Sequence, residues 1–199
     1  MILFLIYYQF WFMRKPERRI PPGKRMIVSP ANGRIARIVE LNGEDAGIRK
    51  GILGKVRAMT SDTAEKAWLI TIVMNPFNVH YQRAPADCRI ISTRYRKGKL
   101  RNAMTGAKDL SATVENERNE ILMSAGRSRI KVIQIAGVFA RRIKCSLKKN
   151  QNLKKGEIIG SIRFGSQVCL VLPRSSKTRL LAGEGQYVVD GETVLAEKR

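Results

Sequence analysis

From Met26 to its end the chain alternates short apolar stretches with turn-forming residues, and this punctuation restricts what it can fold into more than any other feature. The stretches include MIVSPANGRIARIVEL (26–41), KAWLITIVM (66–74), RIISTRY (89–95), RIKVIQIAGVFARRIKCSL (129–147), EIIGSIRF (157–164), QVCLVLP (167–173) and YVVDGETVLA (187–196). They are rich in Val and Ile, whose branched side chains are stiff in a helix but pack well on a pleated surface, and most are too short to be helices. The pattern predicts a mainly β fold with a minor α part, its one helix-compatible stretch lying around Leu110–Asn119. With 199 residues and 44% hydrophobic content the chain can bury a sizeable core, so a single β sandwich or barrel-like domain is expected over 26–199.

Near the C-terminus QNLKKGEIIGS and QYVVDGETVLA align at a constant offset, pairing Gln151 with Gln186, Gly156 with Gly191 and Glu157 with Glu192. Each half reads as strand, turn, strand. Such hairpins resemble those of biotinyl and lipoyl carrier domains, flattened barrel-sandwiches. The carrier function does not follow, because no lysine stands in an equivalent turn motif.

Residues 1–12, MILFLIYYQFWF, carry no charge, and Arg14, Lys15, Arg18 and Arg19 come directly after them. A bilayer crossing takes about 20 apolar residues, so residues 1–13 read as an apolar membrane-anchoring segment that does not span. Its positive flank is the kind expected on the cytoplasmic side of a membrane. A secretory signal has the opposite order, with charge before the apolar run. Pro16, Pro21, Pro22 and Gly23 interrupt regular structure, which makes 14–25 a basic, proline-rich linker. A buried N-terminal strand or helix is the competing reading of the same residues.

Lys plus Arg number 38 against 16 Asp plus Glu, a formal charge of +22, so any partner is biased toward anions. Specific nucleic-acid binding is not indicated, since the RNP-type, helix-turn-helix and zinc patterns are all missing. Cys88, Cys145 and Cys169 show neither a CxxC nor a Cys/His spacing, which argues against a disulfide framework and a zinc site. His80 is the one histidine in the chain, so mechanisms needing two imidazoles are excluded. No glycine-rich phosphate loop of P-loop or dinucleotide type occurs.

Five regions taken in order, FMRKPERRIP (12–21), VSPANGRI (28–35), VMNPFNVHYQRAP (73–85), VENERNEI with IQIAGVFARRI (114–121 and 133–143), and IGSIRFGSQVCLVLP with GETVLA (159–173 and 191–196), resemble the short class of phosphatidylserine decarboxylases. The resemblance implies a pyruvoyl-dependent lyase, made as a zymogen, that acts on phospholipid at the cytoplasmic face of the cell membrane. It implies self-cleavage between Gly165 and Ser166, giving a β chain of residues 1–165 and an α chain of residues 166–199. Ser166 then becomes a pyruvoyl group, so no external cofactor or metal is expected. Phosphatidylserine and an ether-lipid analogue with the same head group fit equally, and a homo-oligomer is compatible with the reading.

The chemistry of that junction can be argued from the residues themselves. A serine hydroxyl can attack the preceding carbonyl if the turn brings it close, and glycine at 165 removes the Cβ that would obstruct it. His80 lies where the family places its histidine, and an imidazole suits proton return to the product carbon near neutral pH, with a part in processing also open. Asn32 stands in SPANG where the family carries the aspartate of SPADG, and an asparagine can hydrogen-bond but is not a base. Cys88, Gln167 and Cys169 also differ from the commonest family residues. Arg83, Arg141, Arg142 and Arg163 are candidates for the substrate's carboxylate or phosphate, since guanidinium offers a planar fork to such oxygens. The alternative is an unprocessed relative that binds anionic lipid and catalyses nothing.

Overall fold

The structure is a computed structural model, and it describes residues 7–41, 50–99, 101–102, 110–137, 143–163 and 166–198. The apolar runs of the sequence become strands. In chain order these are β1 (Met26–Val28), β2 (Gly33–Leu41), β3 (Ala67–Met74), β4 (Tyr81–Arg83), β5 (Cys88–Arg96), β6 (Arg118–Ala125) and β7 (Ser128–Ile135). They continue with β8 (Ile143–Lys144), β9 (Asn152–Leu153), β10 (Ile158–Ile162), β11 (Ser166–Pro173), β12 (Thr178–Leu180), β13 (Tyr187–Val188) and β14 (Val194–Lys198). Eight of them form one curled sheet in the order β13-β2-β3-β11-β7-β6-β5-β9, a half-barrel. Two three-stranded sheets, β1-β14-β12 and β4-β10-β8, accompany it. The mainly β, barrel-like expectation therefore holds.

Strands β3, β11 and β7 lie at the centre of the large sheet and are covered on both faces, which is why their sequences are nearly continuous apolar runs. Successive β11 residues alternate between two cores. Val168, Leu170 and Leu172 join Ile35, Ile70, Ile72 and Ile121 on one face, while Cys169 and Val171 join Leu69, Ile133 and Ile135 on the other. The second face is closed by Val56 and Met59 of a helix, α1 (Lys50–Thr60), and by Leu110 and Val114 at α2 (Ser111–Glu115). Helix α2 falls within the expected stretch. Helix α1 was not expected, because Gly51 and Gly54 weaken its local propensity; its form is decided by burying Val56 and Met59 on the sheet.

The two C-terminal repeats also take a form the residues alone do not give. Each expected hairpin is a crossing between sheets: β9 pairs with β5 in the large sheet while β10 pairs with β4 and β8. Likewise β13 pairs with β2 while β14 pairs with β1 and β12. The shared glycines explain the pseudo-symmetry. Gly156 (φ +87°) and Gly191 (φ +77°) turn in the left-handed region, and a Cβ on either would meet the same Ile20 side chain. Ile20 belongs to the proline-rich stretch 14–25, which lies across the domain; Arg18 bonds Asp190 and the Arg19 backbone N–H donates to Glu192.

Before it, Tyr7–Phe12 form a single π-helical turn. Residues 1–6 lie outside the described residues. Among the described residues no helix is long and apolar enough to cross a membrane.

Candidate active site

The starts and ends of four adjacent strands bring the site's residues to one edge of the large sheet. Strand β3 ends at Met74, Ser166 opens β11 opposite Met74, and Gln167 faces Val73. On the other side of β3, Gly33 opens β2, with Arg34 opposite Val73 and Val188 of β13 opposite Gly33. The approach at Gly33 is so close that a Cβ there would stand 2.2 Å from the Val73 carbonyl oxygen, so only glycine permits Asn32 its position. The chain leaving β3 passes through Asn75–Val79 to His80, then enters β4. Because β4 pairs with β10, the Ile162 N–H donates to the His80 carbonyl at 3.1 Å, four residues before Ser166.

Ser166 and His80 are both 0% exposed, and neither Ser166 Oγ nor His80 Nε2 has a hydrogen-bond partner among the described residues. Buried polar atoms are almost always paired, which makes these two unpaired ones candidates for chemistry. His80 Nδ1 lies 2.8 Å from the Asn78 carbonyl. A carbonyl only accepts, so Nδ1 carries the hydrogen and Nε2 presents a lone pair. Burial pushes the imidazole down to about 4; the Arg14 cation adds to this and the bond to Asn78 opposes it. His80 is thus a neutral imidazole with a free basic nitrogen. Phe12 stacks on its ring with centroids 3.8 Å apart.

Asn32, itself buried, belongs to a closed ring of hydrogen bonds. Its Oδ1 accepts from Asn78 Nδ2 and from the Tyr187 hydroxyl, both at 2.9 Å, and Asn78 Nδ2 also donates to the Tyr187 oxygen at 2.9 Å. The Asn75 N–H donates to Asn78 Oδ1 at 2.8 Å. A cleft of about 670 Å³ opens beside this ring, lined by Arg34, Val73, Asn75, Asn78, Glu184 and Tyr187. From the opposite side a line of buried amides reaches His80: Asn119 donates to Gln134 (2.9 Å), Gln134 to Gln82 (2.7 Å), and Gln82 to the His80 carbonyl (3.0 Å).

The candidate arginines have separate fates. Arg83 is held by Asp190 (Nε–Oδ2, 2.8 Å), the Gly156 carbonyl (2.8 Å) and the Pro16 carbonyl (2.9 Å), with Arg18 sharing Asp190. Its Nε and one N–H of each terminal nitrogen are bonded inside the protein. Arg163 is different: its Nε has no hydrogen-bond partner among the described residues, its guanidinium lies 5.9 Å from the Tyr8 ring centre, and it borders a cleft of about 620 Å³ with Lys144, Ser146 and Ser161. Gly165, Arg141 and Arg142 lie outside the described residues. Of the residues that depart from the family pattern, Gln167 is buried and donates to Thr113 Oγ1 at 2.8 Å, while Cys88 and Cys169 are buried thiols pushed up to about 12 and about 11, chiefly by burial.

The residues the sequence did not single out are Asn78, Tyr187, Phe12, Asp190 and the amide line. Asn78 sits within NPFNVH, two residues before the histidine, and Gln134 interrupts an apolar run, so both left a local trace. Tyr187 and Asp190 left none, since their partners lie more than a hundred residues away.

A sequence profile of the phosphatidylserine decarboxylase family matches residues 7–196. The phosphatidylserine decarboxylase proenzyme of Rickettsia bellii (strain OSU 85-389) is 39% identical over 189 residues, covering 94% of this chain and 73% of the relative. That of Chlorobium phaeobacteroides is 36% identical over 191 residues, 96% of this chain and 79% of the relative. The Rickettsia akari proenzyme is 38% identical over 189 residues, 94% and 73%.

Proposed function

The chain belongs to the phosphatidylserine decarboxylase family, and we propose that it is a proenzyme that cuts itself between Gly165 and Ser166 and then decarboxylates a serine phospholipid. The observation that carries this reading is the buried Ser166 Oγ at the first residue of β11, which has no hydrogen-bond partner among the described residues, just as His80 Nε2 has none among them. An orphaned hydroxyl at this residue fits a pyruvoyl precursor.

In the cut, Ser166 Oγ bonds to the residue 165 carbonyl carbon as the peptide C–N bond breaks, and the hydroxyl proton ends on the released amine. His80, neutral and open at Nε2, is suited to carry that proton. Loss of the Ser166 Cα proton then breaks Cβ–Oγ and frees the residue 165 carboxylate. The resulting dehydroalanine takes up water and releases ammonia, which leaves the pyruvoyl cap. That group supplies the electron sink for loss of carbon dioxide from an amine-bearing carboxylate. The residues around it do the rest: His80 holds or returns the proton, and Arg163, which lines a cleft of about 620 Å³, binds the head-group phosphate. Arg83, tied to Asp190, serves the fold that seats them.

The substrate class also accounts for the outer face of the N-terminal turn. Phe10 (75% exposed), Trp11 (52%) and, on the β3–β4 connection, Phe77 (68%) lie with Arg14, whose guanidinium donates to the Phe77 carbonyl and packs on Trp11. Aromatic rings beside cations suit the interface of an anionic membrane. Phe12, on the same turn, faces inward and covers His80.

Carbon dioxide release from phosphatidylserine vesicles tests the reading. The wild-type protein should release it, and Ser166→Ala should remain one chain on a denaturing gel and release none. A Ser166→Ala protein with wild-type activity would remove the assignment.

A further inference from the structure

The strand that opens at Ser166 runs to a group of cations at the other end of the large sheet. Ser166 of β11 stands opposite Met74, and β11 closes at Pro173 opposite Ala67, roughly 23 Å away for a strand of this length. The Arg174 N–H then donates to the carbonyl of Lys66, the residue before β3, at 2.9 Å. Residues 174–179 read RSSKTR. A turn sets them: the Thr178 N–H donates to the Ser175 carbonyl, and the Ser175 and Thr178 hydroxyls bond each other, both at 3.0 Å.

Two adjoining clefts share Ser175 and Thr178. One, of about 400 Å³, is lined by Lys24, Arg127, Lys177 and Lys198, with Asp87 as its one acid. The other, of about 540 Å³, is lined by Lys66, Arg174 and Arg179 beside Trp68, with no acid. A net charge of +22 makes cations common in any cleft, so the local balance is what distinguishes these two. The cleft beside Asn32 sets Arg34 against Glu184, and one beside α1 sets Arg57 against Glu65. Here four and three cations face one carboxylate, and Asp87 already accepts the Lys155 backbone N–H. Among the described residues only Arg174 of these cations has an ion pair, with Glu40 at 3.3 Å. Glu197, opposite Arg179 across β12 and β14, makes none there. Lys198 Nζ, half-buried, donates to the Ala125 carbonyl at 3.0 Å and has no other partner among the described residues. Burial lowers its proton affinity below the ordinary lysine value, a cost that an anion in the cleft would offset. Like charges lining one cleft also repel, and an anion between them relieves that repulsion.

We propose that the joined clefts bind a soluble anion with two or more phosphate groups, its oxygens met by the lysines and arginines and by the hydroxyls of Ser128, Ser175 and Thr178. A single phosphate fills one cleft and leaves the charge of the other unanswered. Lipid phosphate is the other source of the same chemistry. Phe77, with Phe10 and Trp11, follows the Met74 end of β3, so docking those rings on a membrane turns the clefts away from it. That choice of source rests on the proposed function; the site itself does not.

The test uses the purified full chain in a Trp11→Phe background, where Trp68, against the second cleft, is the one remaining tryptophan. Inorganic tripolyphosphate at low ionic strength should shift Trp68 emission saturably, with matching heat in calorimetry, and added salt should weaken it. Orthophosphate should bind at least roughly tenfold more weakly. Lys198→Gln and Lys177→Gln should each weaken tripolyphosphate roughly tenfold or more, the worth of one hydrogen bond to a charged group. Lys149→Gln removes the same charge from an exposed turn and should change the affinity by less than about twofold. No saturable binding by either method overturns the proposal. Equal losses in Lys149→Gln and Lys198→Gln, or equal affinity for orthophosphate, overturn it as well, the first by showing attraction to bulk charge and the second by removing the multi-phosphate class. Anionic vesicles should leave the tripolyphosphate affinity unchanged; vesicles that compete would make the clefts a lipid surface and overturn the soluble ligand. None of these readouts depends on chain cleavage or decarboxylation, so failure here and failure of the proposed function are told apart.

Discussion

The buried imidazole of His80 makes stability depend on acid in a calculable way. Burial holds its folded value near 4 against an ordinary 6.5, so the unfolded chain binds a proton in this window that the folded chain refuses. Stability from this group is therefore complete above about pH 6.5, falls as pH is lowered toward 4, and levels off below. At pH 5 the two values correspond to a loss of about 2 kcal/mol, and the full span to about 3 kcal/mol. The assay is urea unfolding of the uncut Ser166→Ala chain at pH 7.5, 6, 5 and 4, compared with Ser166→Ala/His80→Gln. Glutamine keeps an N–H for the Asn78 carbonyl but does not titrate here. Carboxylates contribute equally to both proteins, so the difference between the curves isolates His80. The double variant should lose about 2 kcal/mol less than its parent between pH 7.5 and 5. Parallel curves would show that His80 is solvated or charged in the folded state, and would refute the neutral Nε2 on which the proton-transfer argument depends.

Asp190→Ala should destabilise the fold by about 3–5 kcal/mol in urea unfolding, because it leaves the Arg83 and Arg18 guanidinium groups without their shared buried carboxylate. Gly33→Ala should yield insoluble or uncut protein, as its Cβ would collide with the Val73 carbonyl and part β2 from β3; a soluble, normally cleaved variant would show that this edge gives way. Trp11→Ser combined with Phe77→Ser should weaken sedimentation with anionic vesicles roughly tenfold or more, while thermal unfolding stays near wild type because both rings are exposed.

Much of the fold could be read from the residues, because nearly continuous apolar runs such as KAWLITIVM and QVCLVLP report strands buried on both faces. Ser166 and His80 stand out as candidates for a different reason: each lies in a continuous segment whose local order carries the family resemblance. Helix α1 was not legible, since its glycines oppose the helix that tertiary packing imposes. Arg83 shows the limit for sites. Its place in NPFNVHYQRAP suggests a substrate contact, whereas its bonds to Asp190, 107 residues away, and to two backbone carbonyls leave no trace along the chain. The Tyr187–Asn32 contact, 155 residues apart, is non-local in the same sense and shows no pattern along the chain.

Intact mass spectrometry of the purified protein tests the central claim most directly. Self-cleavage between Gly165 and Ser166 predicts two fragments, 1–165 and 166–199. The smaller should be lighter, by the mass of ammonia, than the same fragment with an N-terminal serine, and reactive toward a carbonyl reagent such as a hydrazide. A single uncut chain after prolonged incubation at neutral pH, or a smaller fragment with an intact N-terminal serine, would contradict it.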